Sequence, residues 1–598
     1  MKTILENISE KLKKAFVECG YDEKYGIAVI SNRPDLCQFQ CNGAMAAAKQ
    51  YKKAPIAIAQ EVWDKIKDDP YFKQIDAAAP GFLNMSVSDK ALAGYVAMMG
   101  SEKDFGFEPG NTGKTVVIDY GGANVAKPLH VGHLRPAIIG ESLKRIFATD
   151  GFKTIGDAHL GDWGLPIGLI ITEMTRRNPE LPYFDPDYTG EYPAECPVSI
   201  SDLEEIYPFA SARSKEDDEY RQAAKQAVVD LQSGRRGYIA LWKQIMEISK
   251  IDLKKNYDGL NVSFELWNGE SDADPLIMPM IEDMKSKGIT RISEGALVVD
   301  VKEESDNKEM PPCILLKSDG AAIYASTDLA TLVQRERDFH PDKIVYVVDK
   351  RQGLHFEQVF RTARKAGIVR PETDLIFLGN GTINDKFGHP FKTRDGGVMR
   401  LEMLMKDVAD KVYEKMSDRE MDKDEILKIS KMVGLAAVKY GDLSNQATKD
   451  YNFDIDRFSS FEGNTGPYIL YTMVRIRSIV EKCGQKVGEG SLSEAFSEDS
   501  LNALYSGRDV SDSERELMLG MTGFSQALRL ASDELAPHKL CTFIYELTNR
   551  FNSFYHENKI ISEENVSLKK AWINLILLTY GVLDKVMELL AITVPEKM

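Results

Sequence analysis

The stretch "AKPLHVGHLRPAIIG" at 126–140 places two histidines, His130 and His133, three residues apart and just before an apolar-periodic run. That run predicts a helix, whose N-terminus offers free backbone N–H groups and the positive end of the helix dipole to an anion. Side chains three apart share one helix face. Gly132 leaves room for a flat base against the backbone, and Lys127 adds a cation upstream. Together these features predict a site for the phosphates of ATP.

Two other interpretations of this spacing are weaker. A metal ion would need a third ligand at a defined spacing, and no neighbouring Cys or carboxylate pattern supplies it. An isolated H-x-x-H is usually incidental, because short motifs recur by chance. Here a strand, a small-residue loop and a helix occur in the order that a nucleotide site needs. Cys37 and Cys41, four residues apart, are interpreted as buried thiols and not as zinc ligands, so we expect no metal site.

The elements around the histidine pair form a βαβ pattern. "TVVIDY" at 115–120 predicts a buried strand, and "GGANVAKPL" after it predicts a loop. The following helix carries an apolar face and stops at Gly151, and "KTIGDAHL" at 153–160 predicts the next strand. Parallel units of this kind bind ligands at the carboxyl ends of their strands, where both histidines fall.

The rest of the chain divides by composition and periodicity. A mixed α/β module comes first, with a helix at 1–18 and strands at 27–30 and 80–87. An insertion with two long polar helices occupies 171–300, the strands "KIVYVVD" and "DLIFLG" resume the α/β pattern, and from about 402 nearly everything is helical.

The predicted fold is therefore multidomain, part α/β and part all-α. It combines an α/β N-terminal domain, a Rossmann-like parallel-sheet catalytic domain with an insertion, and a C-terminal helical bundle. The predicted boundaries are 1–110, 111–400, a connecting helical segment at 401–450, and 451–598.

Composition limits the function and the compartment. The 598 residues carry a net charge of −17, which argues against a protein that coats nucleic acid but leaves room for local basic grooves. Seven irregularly spaced cysteines argue for a reducing cytosol. The N-terminus lacks the apolar core of a signal peptide, and "AWINLILLTYGVL" at 571–583 is too short to cross a bilayer. We expect a cytoplasmic protein with no membrane partner.

Several motifs in order carry a family resemblance. "HVGH" resembles the HIGH signature of class I aminoacyl-tRNA synthetases, and "NVAKPLHVGHLRPAIIG" with "HLGDWG" resembles the arginyl-tRNA synthetases. "HPFKTRDGG" at 389–397 is similar to that family's divergent KMSKS loop, and "FEGNTGPYILYTMVRIRSI" at 461–479 to the start of its anticodon-binding domain. The resemblance runs from about residue 20 to the terminal "VPEKM".

This resemblance implies an activity in two steps. L-arginine reacts with ATP to give arginyl-adenylate and pyrophosphate, and arginine then passes to the 3′ end of tRNA(Arg). Such chemistry needs positioning and charge stabilisation more than a protein nucleophile. His130 and His133 would donate to the phosphates, with Gly132 and His355 also in the ATP site. Mg²⁺ would travel on the phosphates of ATP and not in a protein cage.

The KMSKS-like segment departs from the common pattern. Alignment of "PFKTR" puts Pro390 and Thr393 where the two lysines usually sit, with Lys392 and Arg394 shifted relative to them. Positive charge must come from Lys392 and Arg394 or from Lys127. We take Lys127 as a contributor, so Lys127→Ala should lower the adenylation rate far more than the affinity for arginine.

Arginine recognition calls for carboxylates in the plane of the guanidinium. Asp119 ends the first strand, and Tyr324 and Asp328 are four apart at a predicted helix start. All three match family positions that hold the arginine side chain, while Asn124 and Gln352 match positions that contact its polar groups. Asp328 alone could equally be an ordinary acid at a helix N-terminus. A paired-carboxylate pocket rejects lysine and makes an editing domain unnecessary.

Two regions are candidates for tRNA contact. The N-terminal module resembles the family's tRNA-elbow-binding domain, and "QFQCN" offers Phe39, Gln40 and Asn42. The helical domain offers Tyr468, Arg475 and Arg477, since RNA bases are recognised by stacking and by polar side chains. Aromatics at helical spacing more often pack in a core. A monomer is the family's commoner state, and we expect one here.

Two other functions remain open on the sequence. A nucleotidyltransferase of the same superfamily would adenylate a small acid and ignore tRNA, which the long helical C-terminal region disfavours. A synthetase-like RNA-binding module without catalysis is disfavoured by the retained His130, His133, Asp119 and Asp328. Arginine-dependent pyrophosphate exchange that appears only with tRNA separates both from a synthetase.

Overall fold

The N-terminal module is an antiparallel sheet covered by helices. The computed structural model describes residues 1–33, 35–125, 127–391, 399–487 and 498–598. Within the first 101 residues the elements are α1 Ile4–Glu18, β1 Val29–Ile30, β2 Phe39–Cys41, α2 Gly43–Tyr51, α3 Pro55–Ile66, β3 Phe72–Ala78, β4 Phe82–Val87 and α4 Asp89–Ser101. The strands lie in the order β1-β2-β4-β3, and every pairing is antiparallel.

Local sequence explains these elements. The helix expected at 1–18 begins after Thr3, whose hydroxyl accepts from the Glu6 N–H while the Glu6 carboxylate accepts from the Thr3 N–H. Strand β4 alternates buried and half-buried residues, as a sheet with one covered face requires. The strand expected at 27–30 is shorter, Val29–Ile30, and both residues are exposed.

A parallel four-stranded sheet forms the centre of the molecule. Its region contains β5 Thr115–Tyr120, α5 Leu134–Thr149, β6 Lys153–Asp157 and α6 Leu165–Arg177, then α7 Ile200–Glu216, α8 Asp218–Gln232, α9 Arg236–Gly259 and α10 Glu270–Ser286. It continues with β7 Thr290–Ser293, β8 Ala296–Val299, β9 Cys313–Leu316, α11 Tyr324–Phe339, β10 Lys343–Asp349, α12 Gly353–Ala366, β11 Asp374–Asn380 and β12 Ile383–Asn384.

The order of the sheet, β11-β10-β5-β6, creates a crevice. The chain runs outward from β5 to β6 and later returns to β10 on the other side of β5. In open α/β sheets such a reversal leaves a ligand crevice at the carboxyl ends of the two central strands. The predicted strands at 115–120 and 343–349 are confirmed with these bounds.

The strand predicted at 153–160 ends earlier, at Asp157. Beyond it the chain turns: the Asp157 carboxylate accepts the His159 N–H at 3.1 Å, and His159 adopts a φ of 30°. The insertion at 171–300 holds four helices, α7 to α10, where the sequence indicated two. An antiparallel sheet, β7-β8-β9, precedes α11.

The C-terminal part is helical, as expected, with one exception. Its elements are α13 Leu401–Met416, α14 Lys423–Leu443, β13 Tyr451–Asn452, α15 Ile455–Phe458, α16 Gly466–Lys482, α17 Glu498–Ala503, α18 Asp512–Thr522, α19 Phe524–Asp533, α20 His538–Glu557 and α21 Val566–Leu589. The exception is β13, which pairs in parallel with β12 and ties the helical part to the central domain.

Helix α21 contains the apolar run at 571–583. With 24 residues it is long and apolar enough to cross a membrane, so the expectation from the shorter run was wrong about length. Most of the helix is buried, however, with Leu575, Leu578 and Leu583 fully enclosed in the main hydrophobic core. Its apolar surface is therefore covered by the protein's own helices.

Candidate functional site

The histidine pair lies at the carboxyl edge of the parallel sheet, where a short 3₁₀ turn at Val131–His133 leads into α5. The two rings are 3.9 Å apart between centroids. Nδ1 of His130 accepts the Gly132 N–H at 3.1 Å, and Nδ1 of His133 accepts the His130 N–H at 3.1 Å. Hydrogen bonds within this one turn therefore hold both rings in place.

These two hydrogen bonds determine the tautomers. A nitrogen that accepts an N–H carries no proton, so the proton of each neutral ring stands on Nε2. Burial lowers the pKa of His130, and burial lowers the pKa of His133 to about 3. Both rings are thus neutral near pH 7, with Nε2–H free to donate to an anion.

Gly132 is required by the ring of His130. A Cβ at this position would lie 2.8 Å from Cε1 of His130 and 2.9 Å from its Nδ1. The small residue therefore admits the imidazole that caps the turn. From the sequence, Gly132 was predicted instead to leave room for a nucleotide base.

A second segment pairs with the histidine turn. The Val131 N–H donates to the Met399 carbonyl at 3.0 Å, and the Leu401 N–H donates to the Leu129 carbonyl at 3.0 Å. Lys127, also beside the turn, lies with Nζ 4.3 Å from the ring centroid of Tyr207 in α7. Lys392 and Arg394 lie outside the described residues.

Asp119 is buried at the end of β5 and already has a cationic partner. It is 5% exposed, and its Oδ2 accepts from Arg335 Nη2 of α11 at 2.5 Å. The same Nη2 donates to Asp157 Oδ2 at 2.8 Å. Asp119 and Asp157 are opposite residues of neighbouring strands, so one guanidinium reaches both. Burial raises the pKa of Asp119, and the charge of Arg335 opposes that shift.

The same carboxylates are the place to test for a protein-held metal ion. Among the described residues, Asp119, Asp157 and His159 bring their ligand atoms within 4.8 Å of one another. The guanidinium of Arg335 bonds to one oxygen of each aspartate, where a cation would bind. One oxygen of each aspartate is therefore already occupied by a guanidinium, and the set does not fit a resident divalent ion.

Asp328 and His355 meet across the crevice. Asp328 lies one turn into α11 and His355 lies in the first turn of α12, and His355 Nε2 is 2.5 Å from Asp328 Oδ2. Tyr324 begins α11 and is 69% exposed at the mouth of the site. The structure thus joins a residue expected to bind arginine to one expected to bind ATP.

Asn124 and Gln352 border the same crevice. Backbone pairing fixes the loop of Asn124 against Gly161: the Val125 N–H donates to the Gly161 carbonyl at 3.1 Å. A Cβ on Gly161 would lie 2.5 Å from Oδ1 of Asn124, so "HLGDWG" makes room for this amide. Gln352 is exposed just before α12, beyond the carboxyl end of β10.

Glu270 is an acid at this site that the sequence analysis missed. It begins α10, and its N–H donates to the Leu160 carbonyl at 3.1 Å. Burial raises the pKa of the Glu270 carboxyl to about 7, and the charges of Asp162 and Asp328 add to the increase. A carboxyl group in this position would be stabilised by a cation in the crevice.

Arg335 was missed as well, although its spacing gave a signal. It lies seven residues after Asp328, two turns along the same helix face. Arg135, directly after the histidine turn, is a third missed residue. Its Nε lies 3.0 Å from Asp442 Oδ2 in α14, both side chains are almost fully buried, and the pair fastens α5 to α14.

The three N-terminal residues expected to contact tRNA differ in accessibility. Phe39 is 5% exposed and belongs to the core of its module. Gln40 donates from Nε2 to Asn84 Oδ1 at 2.8 Å across β2 and β4. Asn42 is exposed just before α2. Of the three, Asn42 presents a free surface.

The helical candidates are also divided. Tyr468 donates its hydroxyl proton to Asn549 Oδ1 at 2.8 Å. Arg477 donates to the Pro595 carbonyl at 3.1 Å and to the Tyr580 hydroxyl at 2.7 Å, which ties it to the chain terminus. Arg475 is exposed, with its guanidinium carbon 4.6 Å from the ring centroid of Tyr555.

Three family models match the chain in sequence order. "Arginyl tRNA synthetase N terminal domain" matches residues 2–87, and "tRNA synthetases class I (R), catalytic domain" matches 99–455. "DALR anticodon binding domain" matches 469–598. The central match contains the crevice with its histidine pair, and the last match begins within α16 and runs through α21.

Curated relatives and solved structures agree with these models. The chain is 54% identical over 606 residues to an arginine–tRNA ligase of Agathobacter rectalis and 53% identical over 600 residues to one of Alkaliphilus oremlandii, with 100% of each chain covered. It resembles the crystal structure of arginyl-tRNA synthetase from Plasmodium falciparum, with a TM-score of 0.80, 25% identity and 100% of both chains covered. The Thermus thermophilus arginyl-tRNA synthetase structure gives a TM-score of 0.76 at 20% identity, also over 100% of both chains, which is a likeness of fold.

Proposed function

Because the chain belongs to the arginyl-tRNA synthetase family and is a ligase that joins arginine to tRNA using ATP, we propose that His130 and His133 stabilise the phosphates during arginine activation. One observation carries this assignment: both Nδ1 atoms accept backbone N–H groups, which leaves both Nε2–H groups as donors. In activation an oxygen of the arginine carboxylate bonds to the α-phosphorus, and the bond to pyrophosphate breaks. Negative charge then moves onto the leaving group, where preorganised donors act most strongly.

The neutral state of the two rings suits this role. A neutral donor keeps its hydrogen bond through the reaction and neither gains nor loses a proton. Gly132 supports the turn, and His355 completes the ATP side of the crevice. Mg²⁺ accompanies ATP on its phosphates, consistent with the pairing of Asp119 and Asp157 with Arg335 and not with a metal ion.

Arginine binds on the acidic side of the crevice. Asp328 and Glu270 present carboxylates to the guanidinium, and Tyr324 covers it at the mouth. Asp119, held by Arg335, supplies the negative floor. Asn124 and Gln352 bind the polar groups of the amino acid, which leaves its carboxylate directed toward the histidine pair. Lysine, a point charge without the planar fork, leaves these acceptors poorly paired.

Positive charge near the phosphates comes from Lys127, with Lys392 and Arg394 as further contributors. Lys127 precedes the histidine turn by three residues, and its charge adds to burial in lowering the pKa of His130. In the second step a hydroxyl of the terminal ribose bonds to the arginyl carbonyl carbon, and AMP departs. That step uses the same crevice and the same donors.

The flanking regions bind tRNA(Arg). The domains we propose are 1–110 for the tRNA elbow, 111–400 for catalysis with its insertion at about 171–300, 401–450 as a connection, and 451–598 for the anticodon. The exposed Asn42 marks the first surface and the exposed Arg475 the second. The other four candidates, whose contacts are internal, support these surfaces through their packing and hydrogen bonds: Phe39, Gln40, Tyr468 and Arg477. The enzyme works as a cytoplasmic monomer without a membrane partner.

Pyrophosphate exchange tests this function. We expect arginine-dependent exchange of labelled pyrophosphate into ATP that requires tRNA(Arg). Exchange without tRNA would instead indicate an acid-adenylating nucleotidyltransferase. The absence of exchange under all conditions would indicate a binding module without catalysis.

A further inference from the structure

The insertion helix α7 contacts the loop that precedes the histidine pair. Lys127 Nζ lies 4.3 Å from the ring centroid of Tyr207, a distance at which an ammonium is attracted by an aromatic face. Lys127 and Pro128 share a small cleft with Leu203 and Glu204 of the same helix. Helix α7 and this loop therefore face each other at more than one residue.

The same helix contacts a second cation beside the histidines. Glu204 Oε2 lies 3.0 Å from Arg400 Nη1, and the Glu204 side chain is 22% exposed. Arg400 is the residue opposite His130 in the short antiparallel pairing, held by the hydrogen bonds of Met399 and Leu401 on either side. Each of the two segments beside the histidine turn thus has a cationic side chain in contact with α7, Lys127 in one and Arg400 in the other.

The two contacts are one turn apart on a single face. Glu204 and Tyr207 are separated by three residues, so their side chains lie next to each other along α7. Their neighbours on α7, Glu205 and Phe209, contact Arg177 of α6 instead: Glu205 Oε1 is 2.8 Å from Arg177 Nη1. Phe209 lies 5.3 Å from the guanidinium carbon of Arg177. Glu204 and Tyr207 therefore face the segments beside the histidine turn. Glu205 and Phe209, an equivalent acid and aromatic, face Arg177 instead.

We propose that Tyr207 and Glu204 are positioning residues for arginine activation, with Tyr207 holding the Lys127 ammonium and Glu204 holding Arg400. This proposal rests on the function proposed above for Lys127. A lysine side chain has four rotatable bonds, and a free ammonium spends most of its time away from any one point. The aromatic face limits that freedom without removing the charge, so Lys127 remains close to the phosphates that His130 and His133 bind. The insertion thereby contributes to activation by positioning Lys127, without contacting the substrate itself.

The test compares single-turnover arginyl-adenylate formation in variants of the full-length enzyme with saturating tRNA(Arg). Lys127→Ala should lower the rate strongly. Tyr207→Leu should lower the rate of activation by about threefold to thirtyfold, the range of a partly desolvated cation–π contact. Tyr207→Phe, which keeps the aromatic face, should recover most of that loss. Glu204→Gln should lower the rate by about twofold to fivefold, as expected of a half-exposed ion pair.

Matched controls separate positioning from damage to the helix. Phe209→Leu and Glu205→Gln remove the equivalent contacts with Arg177, and each should leave the rate of activation close to that of the unmodified enzyme. KM for arginine should stay within about twofold in all the single variants of α7: Tyr207→Leu, Tyr207→Phe, Glu204→Gln, Phe209→Leu and Glu205→Gln. In the double variant Lys127→Ala/Tyr207→Leu, loss of the aromatic ring should cost nothing further, because its partner is absent.

Two results would overturn the proposal. A Tyr207→Leu defect that persists undiminished when Lys127 is already alanine would show that the ring acts on something else. A faster rate in Tyr207→Leu would show that α7 restrains Lys127 and does not position it. If Lys127→Ala itself keeps the full rate, the function proposed for Lys127 fails first, and that outcome is distinguishable from the other two.

Discussion

The side of the crevice proposed to bind phosphates and the side proposed to bind arginine are built in different ways. The phosphate side is a single turn, in which the rings of His130 and His133 bind backbone N–H groups within three residues of themselves. The arginine side is assembled from separate helices: Glu270 begins α10, and Asp328 lies in α11, where it contacts His355, the ATP-side residue at the start of α12. The histidine donors are neutral and close together in sequence, whereas the acids of the other side are far apart in sequence.

This difference explains how each side obtains its charge state. Burial keeps the histidines neutral, so their Nε2–H donors need no counterion. The acids instead differ in their partners: the one guanidinium of Arg335 pairs with both Asp119 and Asp157, while among the described residues Glu270 forms no ion pair. The unpaired acid is the group that an incoming guanidinium would stabilise most.

The largest effect is expected at the histidine turn. His133→Asn keeps an oxygen near the position of Nδ1 to accept the His130 N–H, but it removes the Nε2 donor. We expect the rate of adenylate formation to fall by about 10²- to 10³-fold, as for loss of one preorganised donor. KM for arginine should change by less than about threefold. Single-turnover formation of arginyl-adenylate measures the rate.

His133→Gln is the matched control, because its amide nitrogen reaches close to the position of Nε2. It should retain more activity than the asparagine variant. Equal activity in the asparagine variant and the unmodified enzyme would contradict a catalytic role for the Nε2–H donor of His133. The ring would then serve only to cap the turn.

The next effect tests the acidic side. Asp328→Asn removes the charge that faces His355 and the guanidinium, and we expect kcat/KM for arginine to fall by at least about thirtyfold. KM for ATP should rise by less than about threefold. Asp338→Asn, at an exposed acid of the same helix that pairs with Arg337, should have no measurable effect.

Steady-state kinetics with each substrate varied in turn gives both constants. An equal rise in KM for ATP and KM for arginine would contradict the separation of the two sides. It would mean that the 2.5 Å contact between Asp328 and His355 makes them a single unit.

The smallest effect concerns pH. The Glu270 carboxyl, with a pKa of about 7 in the free enzyme, is mostly protonated below pH 7 and must lose that proton to pair with a guanidinium. KM for arginine should therefore rise by about tenfold per unit as the pH falls below 7. His133, with its pKa lowered to about 3, stays neutral over this range, so the rate of adenylate formation at saturating arginine should not show its titration.

Glu270→Gln should make KM for arginine higher and nearly independent of pH between 5.5 and 7.5. Glu282→Gln, at an exposed acid of the same helix that pairs with Lys285, should preserve the pH profile. An unchanged pH profile in Glu270→Gln would assign the titration to another group.

The sequence determined the elements and the local side of the site. Hydrophobic periodicity was sufficient for β5, α5 and β10, because each pattern is complete within one element. The histidine turn was predictable for the same reason: His130, Gly132 and His133 are contiguous with the strand, loop and helix that hold them. Asp328 was predictable from its spacing to Tyr324 and from the family resemblance.

Only the tertiary structure decided which charges meet. Asp119 was expected to face arginine, and the structure places Arg335 against it, because the register of β5 with β6 sets two carboxylates within reach of one guanidinium. Glu270 enters the site because the start of α10 pairs with the loop after β6. Phe39 and Arg477 carry the residue types of RNA contacts, yet packing uses one in a core and the other at the chain terminus. Residue type and spacing are local properties, whereas the partner of a charge depends on which distant segment folds against it.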